Sequence, residues 1–231
     1  MLNVDNIEVA YDATQVLFGL SIEALPGEVL CLLGRNGAGK TTTLKSIMGL
    51  LSLRAGSVSL AGEVISDLAP HDIPRRGIAY VPQGRRLFTE MTVAQNMEIG
   101  LMVSGAGHSA REKVLELFPR LRERLTQRAD TLSGGEQQML AMARALCTEP
   151  KVLLLDEPVE GLQPSMIALI RDVIVRLKAE NVAIVLVEQQ VEAVLAIADT
   201  VAFIEHGKNP QTVTAHSLRE DNSLLHRYLG V

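Results

Sequence analysis

The sequence predicts an α/β fold: a mainly parallel sheet, an antiparallel β subdomain at the N-terminus and an inserted helical subdomain. Three observations predict it. Short apolar runs of strand length, at 29–33, 152–155 and 182–187, alternate with stretches of helical periodicity, the pattern of strands buried on both faces and joined by helices. Residues 2–11 and 14–24 alternate loosely between apolar and polar, as two antiparallel strands do. Between roughly 90 and 148 the pattern turns helical and more charged. One domain over residues 1–231 accounts for all three.

Composition allows such a core and narrows the partners. Of 231 residues, 47% are hydrophobic and the net charge is -5. An acidic chain lacks the clustered Lys and Arg that phosphate-backbone affinity requires, so no nucleic-acid partner is expected. The two cysteines, Cys31 and Cys147, stand in apolar and helical surroundings and read as buried reduced thiols. Met1 leads into Leu2-Asn3-Val4-Asp5 without a basic start or apolar block, so no secretory signal is expected. No apolar run reaches the roughly 18 residues that span a bilayer. If the chain acts at a membrane, another chain must cross it.

The elements follow in order. A turn near Asp12-Ala13 separates the first two strands, and Pro26-Gly27 ends the second. The run Val29 to Leu33 leads into Gly34-Arg35-Asn36-Gly37-Ala38-Gly39-Lys40-Thr41 and a helix over 40–51. A glycine, four residues and Gly-Lys-Thr between a strand and a helix form a phosphate-binding loop. Its glycines let backbone N–H groups turn inward on phosphate oxygens, and the helix start adds partial positive charge. Lys40 reaches the β- and γ-phosphates and Thr41 offers its hydroxyl to Mg2+. The candidate ATP-binding set here is Gly34, Asn36, Gly37, Ala38, Gly39, Lys40, Thr41 and Thr42. This defines the core as a P-loop NTPase. Short strands follow at 56–60 and 77–82.

The helical insertion covers 92–126, where Arg120, Arg124 and Arg128 fall four apart and read as a solvated helix face. A second helical block, 133–147, opens on Leu132-Ser133-Gly134-Gly135-Glu136-Gln137-Gln138. A helix starting Ser-Gly-Gly aims amides, a hydroxyl and a dipole at an anion. The chain's own phosphate loop already provides one such cradle, so Ser133, Gly134 and Gly135 are best explained as serving a nucleotide held by another copy. The plain alternative is an N-cap by Ser133. Next, Val152-Leu153-Leu154-Leu155-Asp156-Glu157 is a buried strand ending in two carboxylates. Asp156 would hold Mg2+ directly or through water. Glu157 would act on the attacking water as general base or orienting acceptor. A helix over 164–180, a strand over 182–187, a helix over 190–198, a strand over 200–205 and a helical tail over 215–229 complete the chain.

Loop, Ser-Gly-Gly helix and acidic strand, in that order, resemble the nucleotide-binding subunits of ABC transporters, and the resemblance covers essentially the whole chain. It implies that two cassettes, identical or paralogous, pack head to tail. Each ATP would then lie between one chain's Lys40 loop and the other's Ser133 to Gly135. It also implies transmembrane permease subunits as partners and a place at the cytoplasmic face of the inner (plasma) membrane. Tyr11 matches the aromatic that stacks on adenine. Gln83, in Val81-Pro82-Gln83, matches the glutamine that meets both Mg2+ and the permease.

Two departures stand out. The family's loop after the acidic pair usually runs Ser-Ala-Leu-Asp. Here it is Glu160-Gly161-Leu162-Gln163, which replaces an aspartate by neutral Gln163. Where the family usually has a histidine, the segment is Val187-Glu188-Gln189-Gln190. Gln189 can donate to a γ-phosphate oxygen but cannot become cationic near neutral pH; capping of the following helix is its plainer role. These features, Gly84-Arg85-Arg86-Leu87-Phe88 after Gln83 and the end Tyr228-Leu229-Gly230-Val231 resemble the cassettes of branched-chain amino-acid importers. The cassettes of urea and short-amide importers are near sisters. Either reading implies a periplasmic solute-binding protein as an indirect partner. Non-transport ATPases with this cassette carry long coiled coils or two fused cassettes, and neither pattern is present.

Overall fold

The computed structural model describes residues 1–105 and 107–230. Ala106, within the expected helical insertion, and Val231, at the end of the Tyr228–Val231 segment, lie outside the described residues.

The first two expected strands are β1 (Leu2–Tyr11) and β2 (Thr14–Ala24), paired antiparallel around the Asp12-Ala13 turn. They join β4 (Leu53–Leu60) and β5 (Glu63–Val64) in an antiparallel sheet ordered β2-β1-β4-β5. The second sheet holds β3 (Val29–Leu33), β6 (Ile78–Val81), β7 (Val152–Asp156), β8 (Ala183–Val187), β9 (Thr200–Glu205) and β10 (Lys208–Thr214). Its order among the described residues is β10-β9-β3-β8-β7-β6, parallel except for the β9–β10 hairpin.

β3, β7 and β8 are buried at every position, which is why they lack alternation in the sequence. The pleat still sorts their side chains into two cores. Val29, Cys31, Leu33, Leu153, Leu155, Ile184 and Leu186 face one core, shared with α5 (Gly134–Leu146) and α6 (Pro164–Ala179). Leu30, Leu32, Val152, Leu154, Val185 and Val187 face the other, shared with α1 (Lys40–Ile47) and the antiparallel sheet. The strands that carry the chemistry are therefore clamped between two apolar layers.

The helical stretch expected over 92–126 is broken, among the described residues, into three helices: α2 (Val93–Ser104), α3 (His108–Leu117) and the short α4 (Pro119–Arg122). After α4 the chain runs back past the start of α2, where Gln127 and Leu125 carbonyls accept the Val93 and Ala94 amides at 2.9 Å each. It thereby satisfies helix-start donors that would otherwise be open. The arginines spaced four apart consequently share no helix face. Arg124 pairs with Glu136 at 2.6 Å and Arg128 with Asp130 at 2.7 Å. The stretch 208–214, which carries no strand signal in the sequence, is strand β10, an edge strand that tolerates Pro210. The tail is two helices, α8 (Ala215–Glu220) and α9 (Ser223–Leu229), separated where Asp221 accepts the Ser223 amide at 2.9 Å. The helix expected at 190–198 is α7 (Val191–Ile197).

Candidate active site

Strand register brings the polar residues together. Val81 pairs with Leu155 and Asp156 with Val187. Gln83 and Glu157, each two residues beyond the first pair, leave neighbouring parallel strands at the same height. The turn carrying Gln189 follows the end of β8, and the phosphate loop follows the end of β3, which pairs with β8. All thus lie beyond the carboxyl ends of parallel strands, the usual place for ligands in open α/β sheets. A cavity of about 530 Å³ is lined there by Asn36, Gly37, Gly39, Lys40, Thr41, Thr42, Gln83, Glu157 and Gln189, with Val16 and Glu160.

The phosphate loop is held from behind. Gly39, at φ 114°, precedes α1 in a left-handed conformation that favours glycine. Gly207, in the β9–β10 turn, donates to the Ala38 carbonyl and accepts from the Phe18 amide, both at 2.9 Å. A Cβ at Gly207 would run into the Val16 carbonyl oxygen, so loop, hairpin turn and β2 fit together only without a side chain there. Lys40 is 6% exposed and donates to the Gly34 carbonyl at 2.7 Å and the Arg35 carbonyl at 3.0 Å. Burial pulls its pKa below the ordinary lysine value, opposed by Glu157 and Asp156.

Asp156 is buried, accepting the Thr41 hydroxyl at 3.1 Å on one oxygen and the Tyr80 hydroxyl at 3.0 Å on the other. Burial raises its pKa, and the two hydroxyls restrain the rise. Sequence reasoning misses Tyr80. The only trace of it there is a hydroxyl-bearing residue in the run Ile78 to Val81, paired beside Leu154.

Glu157 sits at φ 49°, a left-handed conformation costing a non-glycine residue about 1 kcal/mol or more. Its amide donates to the Val187 carbonyl at 3.0 Å, extending the ladder past β7. Each carboxylate oxygen meets a side-chain amide: Gln189 at 2.6 Å on Oε1 and Gln83 at 3.3 Å on Oε2. Gln83 also donates to Glu160 at 2.9 Å. Gln189 is therefore turned into the site. α7 has Gln190 as its N-cap, with no side-chain capping bond.

Ser133, Gly134, Gly135 and Tyr11 do not line this cavity. Ser133 caps α5 in a capping box: its hydroxyl oxygen accepts the Glu136 amide at 3.4 Å, and its own hydroxyl and amide donate to the Glu136 carboxylate at 2.8 and 2.9 Å. Burial alone would raise the Glu136 pKa, but Ser133 and Arg124 outweigh it and leave it lowered. Arg85 donates to Gln137 at 3.0 Å and so ties the segment after Gln83 to this helix. Tyr11 ends β1 and is 41% exposed.

The family model described as "ABC transporter" matches residues 17–160. The chain is similar to the high-affinity branched-chain amino acid transport ATP-binding protein BraG of Pseudomonas aeruginosa, 42% identical over 232 residues and 100% of both chains. It is also similar to the probable branched-chain amino acid transport ATP-binding protein LivF of Archaeoglobus fulgidus, 35% identical over 100% of this chain and 99% of the other. A solved ATP-binding subunit of an ABC transporter superposes with TM-score 0.87 at 29% identity, covering 100% of this chain and 96% of that one.

Proposed function

The chain belongs to the ABC transporter family as an ATP-binding, ATP-hydrolysing subunit, and from that membership we propose that it energises uptake of branched-chain amino acids through permease partners. End-to-end likeness to two branched-chain amino acid transport proteins supports that solute class. No helix among the described residues is long and apolar enough to cross a membrane. The subunit would sit peripherally on the permeases, at the cytoplasmic face of the inner (plasma) membrane. A periplasmic solute-binding protein would deliver the amino acid from the other side.

One observation carries the catalytic reading: Lys40, Gln83, Glu157 and Gln189 converge on a single cavity. The γ-phosphate of ATP would replace the loop carbonyls as Lys40's partner. Glu157, its oxygens held by two amides, would orient the attacking water and accept its proton. Gln189 would donate to the transferred phosphoryl group as charge builds there. Tyr11 would stack on adenine near the end of β1. Mg2+ suits the corner made by Thr41 and Asp156, whose hydroxyl and carboxylate are hard oxygen donors already bonded to each other. Thr41, Asp156 and Gln83 would hold the ion, which would neutralise phosphate charge.

Ser133 to Gly135 stand outside the cavity of their own chain. This supports a head-to-tail pair of cassettes in which each chain's Ser-Gly-Gly helix completes the other's site. The test is ATP-driven uptake of leucine, isoleucine or valine by the chain assembled with its permeases and solute-binding protein. Lys40→Ala is expected to abolish it without altering the fold. Uptake of urea or acetamide in place of branched-chain amino acids would overturn the solute class. Wild-type ATPase activity in folded Lys40→Ala would overturn the site.

A further inference from the structure

Glu188 is the residue at which β8 leaves the core. Five buried apolar residues precede it, yet its own exposure is only 5%. Burying a carboxylate is costly unless its oxygens find partners. Oε2 finds two, accepting the backbone amide of Gln189 at 2.7 Å and of Gln190 at 3.2 Å. Oε1 is buried with no hydrogen-bond partner among the described residues. Burial raises the Glu188 pKa against those two bonds, and Glu157 and Glu160 add to the rise. The same carboxylate helps to raise the pKa of the wholly buried Cys31 thiol beneath the phosphate loop, after burial itself.

An apolar side chain would fill this place without the desolvation cost, so stability alone does not account for an acid here. What the acid does supply is control of one turn. The amides it accepts belong to the residues between β8 and α7, and one of them, Gln189, sends its side chain 2.6 Å from Glu157 Oε1. We propose that Glu188 is a positioning residue for hydrolysis, clamping the 188–190 turn so that the Gln189 amide is aimed at Glu157. The inference rests on the reading of Glu157 and Gln189 given above. Glu188 itself touches no reacting atom.

The test compares ATP turnover by the assembled transporter for four variants: Glu188→Met, Glu188→Gln, Gln189→Ala and Glu188→Met/Gln189→Ala. Glu188→Met keeps the length and removes the acceptor; kcat should fall by about tenfold while KM stays within about twofold. Glu188→Gln keeps an acceptor oxygen and should stay within about twofold of wild type. The double variant should be no slower than Gln189→Ala alone, since a residue acting through Gln189 has nothing left to position. A wild-type rate in Glu188→Met overturns the proposal. So does a fold-loss from Glu188→Met that is the same whether Gln189 is intact or truncated, or a loss in Glu188→Gln matching that in Glu188→Met. If Gln189→Ala is itself silent, the Gln189 assignment falls and this proposal with it. If Gln189→Ala is slow and Glu188→Met is not, this proposal falls alone. Should Glu188→Met not fold, hydrogen exchange decides. The Gln189 and Gln190 amides should exchange at least about tenfold more slowly than free peptide in both wild type and Glu188→Gln; unprotected amides overturn the clamp.

Discussion

The side-chain amide of Gln189 and the carboxylate of Glu157 are joined by a 2.6 Å hydrogen bond between the ends of two adjacent parallel strands. The residue standing where a histidine is usual is thus in contact with the carboxylate assigned to the attacking water.

Removing that amide should affect turnover more than binding. Gln189→Ala is expected to lower kcat by about tenfold, less than the hundredfold or more of a sole oxyanion donor, because Lys40 shares the load. Gln189→His should keep measurable activity and gain a titration near the usual histidine pKa of about 6.5. Steady-state ATPase assays across pH check both. A wild-type rate combined with earlier melting of Gln189→Ala would make Gln189 a structural residue.

Glu157→Gln keeps size and loses basicity. Hydrolysis should drop by about a hundredfold or more while ATP still binds. Trapped ATP should then hold two cassettes together, visible as a dimer in size-exclusion chromatography. Unchanged hydrolysis would remove Glu157 from the catalytic role.

Ser133→Arg separates the two halves of the proposed shared site. ATP should still bind the chain's own loop, whereas hydrolysis should stop. Loss of the cap should also cost about 1 kcal/mol, a fall of roughly 2–4 °C in Tm. Mixed with Lys40→Ala, each heterodimer holds one site with both lesions and one with neither, so activity should partly return. Weaker ATP binding by Ser133→Arg monomers would instead mean that the motif acts within its own chain.

Asp156 should cost the fold stability that it lends to function. Burial raises its pKa above the unfolded value. The charged form is therefore destabilising above the folded pKa, and the penalty fades as pH falls through the ordinary carboxylate range. Asp156→Asn should accordingly raise Tm at pH 7, with the gain shrinking toward pH 4. It should also abolish turnover. Thermal melts of both proteins across pH check the sign; a lower Tm for Asp156→Asn at pH 7 would contradict it.

The sequence disclosed the α/β core because the buried strands are continuous apolar runs with no competing period, and their order around the phosphate loop admits few topologies. The bonds that hold the site were less legible. Tyr80 reaches Asp156, and Gln189 reaches Glu157, through register between strands far apart in the chain, which no local pattern encodes. Glu188 did leave one trace, a carboxylate ending a five-residue buried run. The insertion misleads because the charge spacing at Arg120, Arg124 and Arg128 suits a helix. The carbonyls of 125 and 127 were instead needed by the start of α2.

Gly207 has a consequence for interpreting inherited or selected variants. It lies in a hairpin turn far along the chain from the phosphate loop, yet its backbone braces Ala38 and leaves no room beside Val16. Any side chain there would collide with Val16 and Phe18 of β2, and the displacement would reach the loop through the Gly207–Ala38 bond. An allele changed only at this codon would therefore score as a nucleotide-affinity mutant in a genetic screen, although it touches no nucleotide. Suppressors would be expected in β2 rather than around Lys40.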